Sequence, residues 1–214
     1  NIYMYARLLG DEEFVDGNTA TYENLKPYYE LFMGLQNDGI VQDYGMLKSS
    51  NISYSGVFYN QQAAMLQIGT WYINMLMENV KSPEEDPDNG FNWGVCSLPT
   101  IDGSVPDAMV GGVTPIGIGA YAEHPDEAWD FIAWVCGDDG ATLLAENGIV
   151  PGYISQAVLD TFDAIPETYK NAPEGMSKYL DKSSYIVEQP MHENGKALAK
   201  ALDDVDSLIR TNSC

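Results

Sequence analysis

An α/β fold is predicted for this chain from two observations. Short apolar runs of strand character, Ala63–Ile68, Phe91–Leu98 and Val110–Ala120, are interleaved with stretches in which apolar residues recur every three to four positions. Apolar residues make up 45% of the 214, enough for a sizeable core in one or two domains. Strands alternating with helices bury their apolar faces by stacking in layers.

The elements follow in order. Residues 2–9 are apolar and are read as the end of a helix closed at Gly10; 11–18 are read as a turn-rich link with a short hairpin around Phe14. From Thr21 to Asp38, Leu25, Tyr28, Phe32 and Leu35 recur at helical spacing, with Gly39 as the C-cap. Residues 40–54 lack clear periodicity. Ser55–Gln62 reads as a short helix delivering the chain into the strand Ala63–Ile68, after which Thr70 caps a helix from Trp71 to Val80. Ser82–Gly90, with two prolines among acids and amides, is a surface loop. Pro99 closes the strand Phe91–Leu98, and Asp102-Gly103 is a turn signal. The Val110–Ala120 strand is interrupted by small residues.

Pro125 opens a helix whose Ala128, Phe131, Ile132 and Val135 share a face, and Gly137 ends it. A second helix, Asp139–Glu146, stops at Asn147-Gly148. Helices follow over Ser155–Thr161, over Pro166–Leu180 with Pro166 in its first turn, and over Asn194–Ile209, where Ala197, Leu198, Ala201, Leu202, Val205 and Leu208 repeat at helical spacing.

Thirty-two acids against ten Lys and Arg give a net charge of −22. Such a surface repels phosphate backbones and anionic membranes, so nucleic acid is excluded as a partner, and it disfavours an anionic ligand. No apolar run reaches the ~18 residues that span a bilayer. Cys96, Cys136 and Cys214 are too far apart for a CxxC motif, so metal and redox cofactors are unsupported. Cys96, in an apolar strand pattern, and Cys136, on an apolar helix face, read as small buried hydrophobes. His124 and His192 join neither a Gly-x-Ser-x-Gly motif nor a ligand cluster, and no catalytic residue is assigned.

One ordered series of segments carries more. It runs Phe58-Tyr59-Asn60-Gln61-Gln62-Ala63-Ala64-Met65-Leu66-Gln67-Ile68-Gly69-Thr70-Trp71, then Asn92-Trp93-Gly94-Val95-Cys96-Ser97-Leu98-Pro99, then Met109-Val110-Gly111-Gly112-Val113-Thr114-Pro115-Ile116-Gly117-Ile118. Pro125-Asp126-Glu127-Ala128-Trp129-Asp130-Phe131-Ile132 and Gly148-Ile149-Val150-Pro151 complete it. The series resembles the C-terminal half of a family 1 extracellular solute-binding protein, the sugar-binding subunit of a bacterial ABC importer. It departs from the family where a Gly-Lys pair is usual: Gln61-Gln62 stand there, and Asn60 is expected to supply the left-handed residue.

The resemblance implies a periplasmic-binding-protein-like type II fold, α/β, mainly its C-terminal lobe plus a short segment of the N-terminal lobe. Residues 1–108 and 150–214 would form the C-terminal lobe, 109–149 an excursion into the other, with hinges near Met109 and Val150. An N-terminal half and an anchoring segment would precede Asn1, and this stretch alone would self-associate. The implied function is capture of a neutral carbohydrate, an oligosaccharide, between two lobes outside the cell, and delivery to membrane-embedded ABC permease subunits.

The expected ligand contacts are Trp71, Tyr72, Gly111, Gly112, Tyr153, Glu193 and Asn194. Trp71 offers a flat apolar face and one N–H donor, matching the axial C–H face of a sugar ring; relatives use the aromatic of this Gly-x-Trp context so. The alternative is a Trp filling space under the next helix. Gly111-Gly112 permit close backbone approach, a hinge, or simple helix packing. Tyr153 follows Pro151-Gly152 at the return crossing; Glu193 and Asn194 are hydroxyl partners or an N-terminal capping turn. Two other classes stand beside transport. A glycosidase would use paired carboxylates such as Glu84-Glu85 or Asp138-Asp139, and a surface adhesion or scaffold module would need no concave site.

Overall fold

The computed structural model describes residues 26–50, 53–97, 108–111, 114–182, 184–187 and 195–211. Along these the order is α1 (Lys26–Asn37), α2 (Tyr44–Ser50), α3 (Tyr54–Tyr59), α4 (Tyr72–Asn79), β1 (Ala108–Gly111), α5 (Pro125–Val135), α6 (Asp138–Glu146), α7 (Gln156–Thr168), α8 (Ser177–Leu180), β2 (Ser184–Val187) and α9 (Gly195–Arg210). The elements expected over 2–18 and the turn at Asp102-Gly103 lie outside the described residues, as does Cys214.

The core gathers the inward faces of α4, α6, α7 and α8. Tyr72, Ile73, Leu76, Met77 and Val80 meet Ala141 and Ala145 of α6, Val158, Phe162 and Ile165 of α7, and Met176 and Leu180. Two alanines of α6 are wholly buried, and their small side chains let α6 approach α7 closely. Helix starts follow local chemistry. Pro125 stands at the first position of α5 with Asp126 and Glu127 beside it, where a missing N–H costs nothing and the helix dipole favours negative charge. At α7 the Ser155 hydroxyl accepts from the Val158 N–H at 3.3 Å and donates to Asp138 of α6 at 2.6 Å, so one cap also joins two helices.

The structure corrects several sequence expectations. Residues 63–69 and 91–97 are coil, not strands. In the second segment the alternation survives without a sheet: Phe91, Trp93 and Val95 pack on the core while Asn92, Gly94 and Cys96 face outward. Cys96 is therefore exposed rather than buried. Cys136 is exposed too, because it closes α5, a helix with no buried residue. Of the expected strand 110–120, Val110 and Gly111 belong to β1, 112–113 lie outside the described residues, and 114–119 are coil. The partner of β1 is β2, parallel, with Ala108 beside Ser184 and Gly111 beside Val187. Pro166 lies inside α7 rather than opening a helix; so near the C-terminal end it forfeits one hydrogen bond, and Lys170 Nζ donates to the carbonyls of Glu167 (2.6 Å) and Pro166 (3.4 Å). The left-handed residue after α3 is Gln61 (φ 55°), not Asn60, and its side-chain amide donates to the Asn89 carbonyl at 3.1 Å. The helix α2 formed where no periodicity was read.

α1, α2 and α9 meet through polar contacts. The Tyr29 hydroxyl donates to Asp206 at 3.0 Å, and Gln36, buried, donates to Asp43 and to the Arg210 carbonyl at 3.2 Å each while accepting from the Tyr44 N–H. The Arg210 guanidinium lies 4.3 Å from the Phe32 ring centroid and pairs with Asp206 at 2.9 Å.

Candidate functional site

The Gly69-Thr70-Trp71-Tyr72 turn positions the central candidate. Tyr72 N–H donates to the Gly69 carbonyl and Ile73 N–H to the Thr70 carbonyl, both at 3.0 Å, so the chain tightens into α4 with Trp71 rather than Thr70 at its cap. Positions 72, 73, 76, 77 and 80 form the inward face of α4. Trp71 falls off that face and stands 47% exposed. Tyr72, by contrast, is a core residue: its ring stacks on Tyr59 at 5.6 Å and its hydroxyl donates to the Ser55 carbonyl at 3.2 Å. The i, i+4 spacing of Tyr72 and Leu76 carried that signal in the sequence.

Tyr153 is also exposed, on the chain leaving the turn after α6. That turn is pinned to α4. Asn74 Nδ2 donates to the Asn147 carbonyl at 2.8 Å, and Gly148, at φ +70°, lies against Ile73, Asn74 and Met77. Trp71 and Tyr153 are thus carried by two segments joined at one contact, with Ile68 and Ile149 exposed beside them in sequence. Gly111 ends β1, where the parallel register sets it beside Val187. Gly112, Glu193 and Asn194 lie outside the described residues.

A cavity of about 320 Å³ opens at the other end of α4, lined by Tyr59, Gln61, Asn79, Lys81, Asp86 and Asn89 among others. Asp86 Oδ1 accepts there from the backbone N–H groups of Asp88 and Asn89, and Asn79 Nδ2 donates to the Met75 carbonyl. None of the sequence candidates lines it. Among the described residues no three His, Cys, Asp or Glu side chains converge as a metal site would require, and no helix is long and apolar enough to cross a membrane.

A second feature was not read from the sequence. Residues 114–127 are exposed throughout, and α5 adds exposed Trp129, Phe131 and Trp134. Ile116, Ile118 and Tyr121 add to this run of exposed apolar side chains.

Comparison with known proteins places this architecture. Residues 3–142 match the family model described as bacterial extracellular solute-binding protein, and the chain belongs to that family. A solved structure of similar fold is a sugar transporter from Rhizobium etli in an open conformation, 28% identical, with a TM-score of 0.69. The match covers 100% of this chain and 53% of that one, so the chain spans about half the length of the structure it resembles. No curated protein matches the sequence.

Proposed function

We propose that this chain supplies one wall of a carbohydrate-binding cleft in a solute-binding protein that hands a neutral oligosaccharide to an ABC permease outside the cytoplasmic membrane. The observation that carries this reading is the exposed Trp71 indole, held at the head of α4 by a tight turn and tied through Asn74 and Gly148 to the segment bearing exposed Tyr153. Flat aromatic faces with a few polar partners are what a sugar ring needs. Membership of the solute-binding family and likeness to a sugar transporter support the same reading. Gly111-Gly112, Glu193 and Asn194 are proposed as further contacts; Tyr72 acts behind Trp71 rather than at the ligand.

The proposed architecture is the α/β type II binding-protein fold, with 1–108 and 150–214 in one lobe and 109–149 crossing toward the other. Within that crossing, α6 is packed into the core, while 114–135 present the exposed apolar face that the remaining polypeptide would cover. Closure would follow ligand affinity for the closed form, in the hinge mode known for periplasmic binding proteins.

Calorimetry of the full-length protein against neutral oligosaccharides tests the reading. Binding without product formation is expected. Turnover of a bound glycan, or tight binding of a peptide or polyamine with none of any sugar, would overturn it.

A further inference from the structure

We propose that Gly69 is a positioning residue for Trp71: the absent side chain at 69 sets the orientation in which the indole meets its ligand. The proposal rests on the reading of Trp71 as a sugar contact. A Cβ placed on Gly69 would lie 2.5 Å from Trp71 Nε1 and 2.7 Å from Cδ1, well inside van der Waals contact, and the next nearest atom beyond its chain neighbours, Cε2 at 3.6 Å, belongs to the same ring. The indole therefore folds back with its N–H edge against the Gly69 backbone. On its other flank stands Tyr72, whose ring is perpendicular to the indole (89°) at 6.0 Å between centroids. Tyr72 is itself immobilised by its stack on Tyr59, at 6° between planes, by the edge of Phe58 at 6.2 Å, and by its hydrogen bond to Ser55. The ring is held between a fixed aromatic wall and a backbone with nothing on it. A pre-set aromatic loses little rotamer freedom on binding.

The backbone gives Gly69 no other reason to be glycine. The left-handed glycines among the described residues are Gly39, Gly148 and Gly175, so alanine is conformationally acceptable at 69. Gly69 is exposed, and the nearest atoms that the added methyl would meet beyond its chain neighbours are those of the indole. Gly69→Ala is thus a probe of Trp71 orientation rather than of folding.

The test uses the full-length protein carrying fluorine-labelled tryptophan, with the Trp71 resonance assigned by its loss in Trp71→Ala. Gly69→Ala should shift the Trp71 resonance and leave those of Trp93, Trp129 and Trp134 in place. Titration with maltotriose, cellotriose and xylotriose should show roughly tenfold weaker binding of whichever sugar the parent binds, since a displaced anchor forfeits contact with the ligand. In a Trp71→Ala background, Gly69→Ala should cost nothing further. An unmoved Trp71 resonance overturns the proposal, as does a Gly69→Ala loss that persists without the indole. If Trp71→Ala itself leaves sugar binding intact, the ligand-contact reading fails, and the resonance still decides whether Gly69 sets the ring.

Discussion

Asn171 reaches across 91 residues of chain to donate its side-chain amide to the Val80 carbonyl at 3.0 Å. It is 3% exposed, also donates to the Phe91 carbonyl at 3.4 Å, and its own carbonyl accepts from the Trp93 N–H at 3.1 Å. One residue thereby closes the end of α4 and fixes the extended segment that brings Trp93 into the core. Asn171→Ala leaves buried carbonyls unpaired, and thermal or denaturant unfolding should show a loss of about 2 kcal/mol. A change under 0.5 kcal/mol, the range of an ordinary surface substitution, would mean that water replaces the amide.

Gly148→Ala should be as damaging for a different reason. At φ +70° any side chain is strained, and here a Cβ would come within 2.5 Å of Met77 Sδ and 3.1 Å of the Asn74 nitrogen. Strain and overpacking together are expected to cost about 2–4 kcal/mol. Because this contact ties the Tyr153 segment to α4, the sugar affinity proposed above for the full-length protein should fall with stability in the variant. A variant of parent stability would show that the turn is free to move off α4.

The Tyr29–Asp206–Arg210 contacts predict a local effect. Arg210 and Asp206 are mostly buried, and the guanidinium also lies over Phe32 and 5.2 Å from the Tyr44 centroid. Arg210→Gln removes the cation from both ring faces and leaves the part-buried Asp206 carboxylate with the Tyr29 hydroxyl but without its ion-pair partner, at a cost of about 1–3 kcal/mol. Amide exchange should quicken in α1 and α9 while α6 and α7 keep their protection. Uniform acceleration across all four helices would sink this localisation.

Much of this was legible in the sequence, and the rest failed for identifiable reasons. Pro125 and Asn147-Gly148 announced helix boundaries because capping chemistry is local. The strand expected over 63–68 did not form, and 91–97 of the one expected over 91–98 are coil, although apolar alternation was present at Phe91, Trp93 and Val95. A ladder needs a second segment, and alternation in one segment reports burial rather than pairing. The docking of α9 on α1 was unreadable because it runs through Asp206 and Arg210, which the apolar repeat leaves out, while Val205 and Leu208 of that repeat are exposed. Among the expected contacts, the Gly-x-Trp context pointed to Trp71, which the turn leaves exposed, whereas adjacency alone suggested Tyr72, whose helical spacing with Leu76 placed it in the core.

Acid should loosen the 82–90 loop before it reaches the helices. Hydrogen bonds from the Ser82 N–H (3.1 Å) and hydroxyl (3.0 Å) hold the Glu85 carboxyl below its ordinary range. A depressed folded-state value stabilises the loop above the pH at which an unfolded Glu titrates, and that contribution is lost as the pH falls through the folded value. Glu85 is exposed, so the global effect is small. The Ser82 amide resonance should therefore titrate with a midpoint below that of an ordinary Glu, and Glu85→Gln should abolish the titration. A midpoint at or above the ordinary carboxylate range would contradict the hydrogen-bonded turn.

Trp129 and Trp134, 60% and 46% exposed on a helix with no buried residue, present an apolar surface that water disfavours. Their exposure is accounted for if the rest of the polypeptide covers them, as proposed above. The 214-residue chain on its own should then associate through this surface. Trp129→Glu with Trp134→Glu should lower its light-scattering mass at a given concentration, and α6 and α7 should unfold as before, because neither Trp is part of the core that those helices share. In the full-length protein the same pair should destabilise, since charges would be forced against a covered face. Association of the 214-residue chain undiminished by both substitutions would place its sticky surface elsewhere. Unchanged stability of the full-length variant would mean that α5 faces solvent there too, and that the crossing toward the second lobe does not include it.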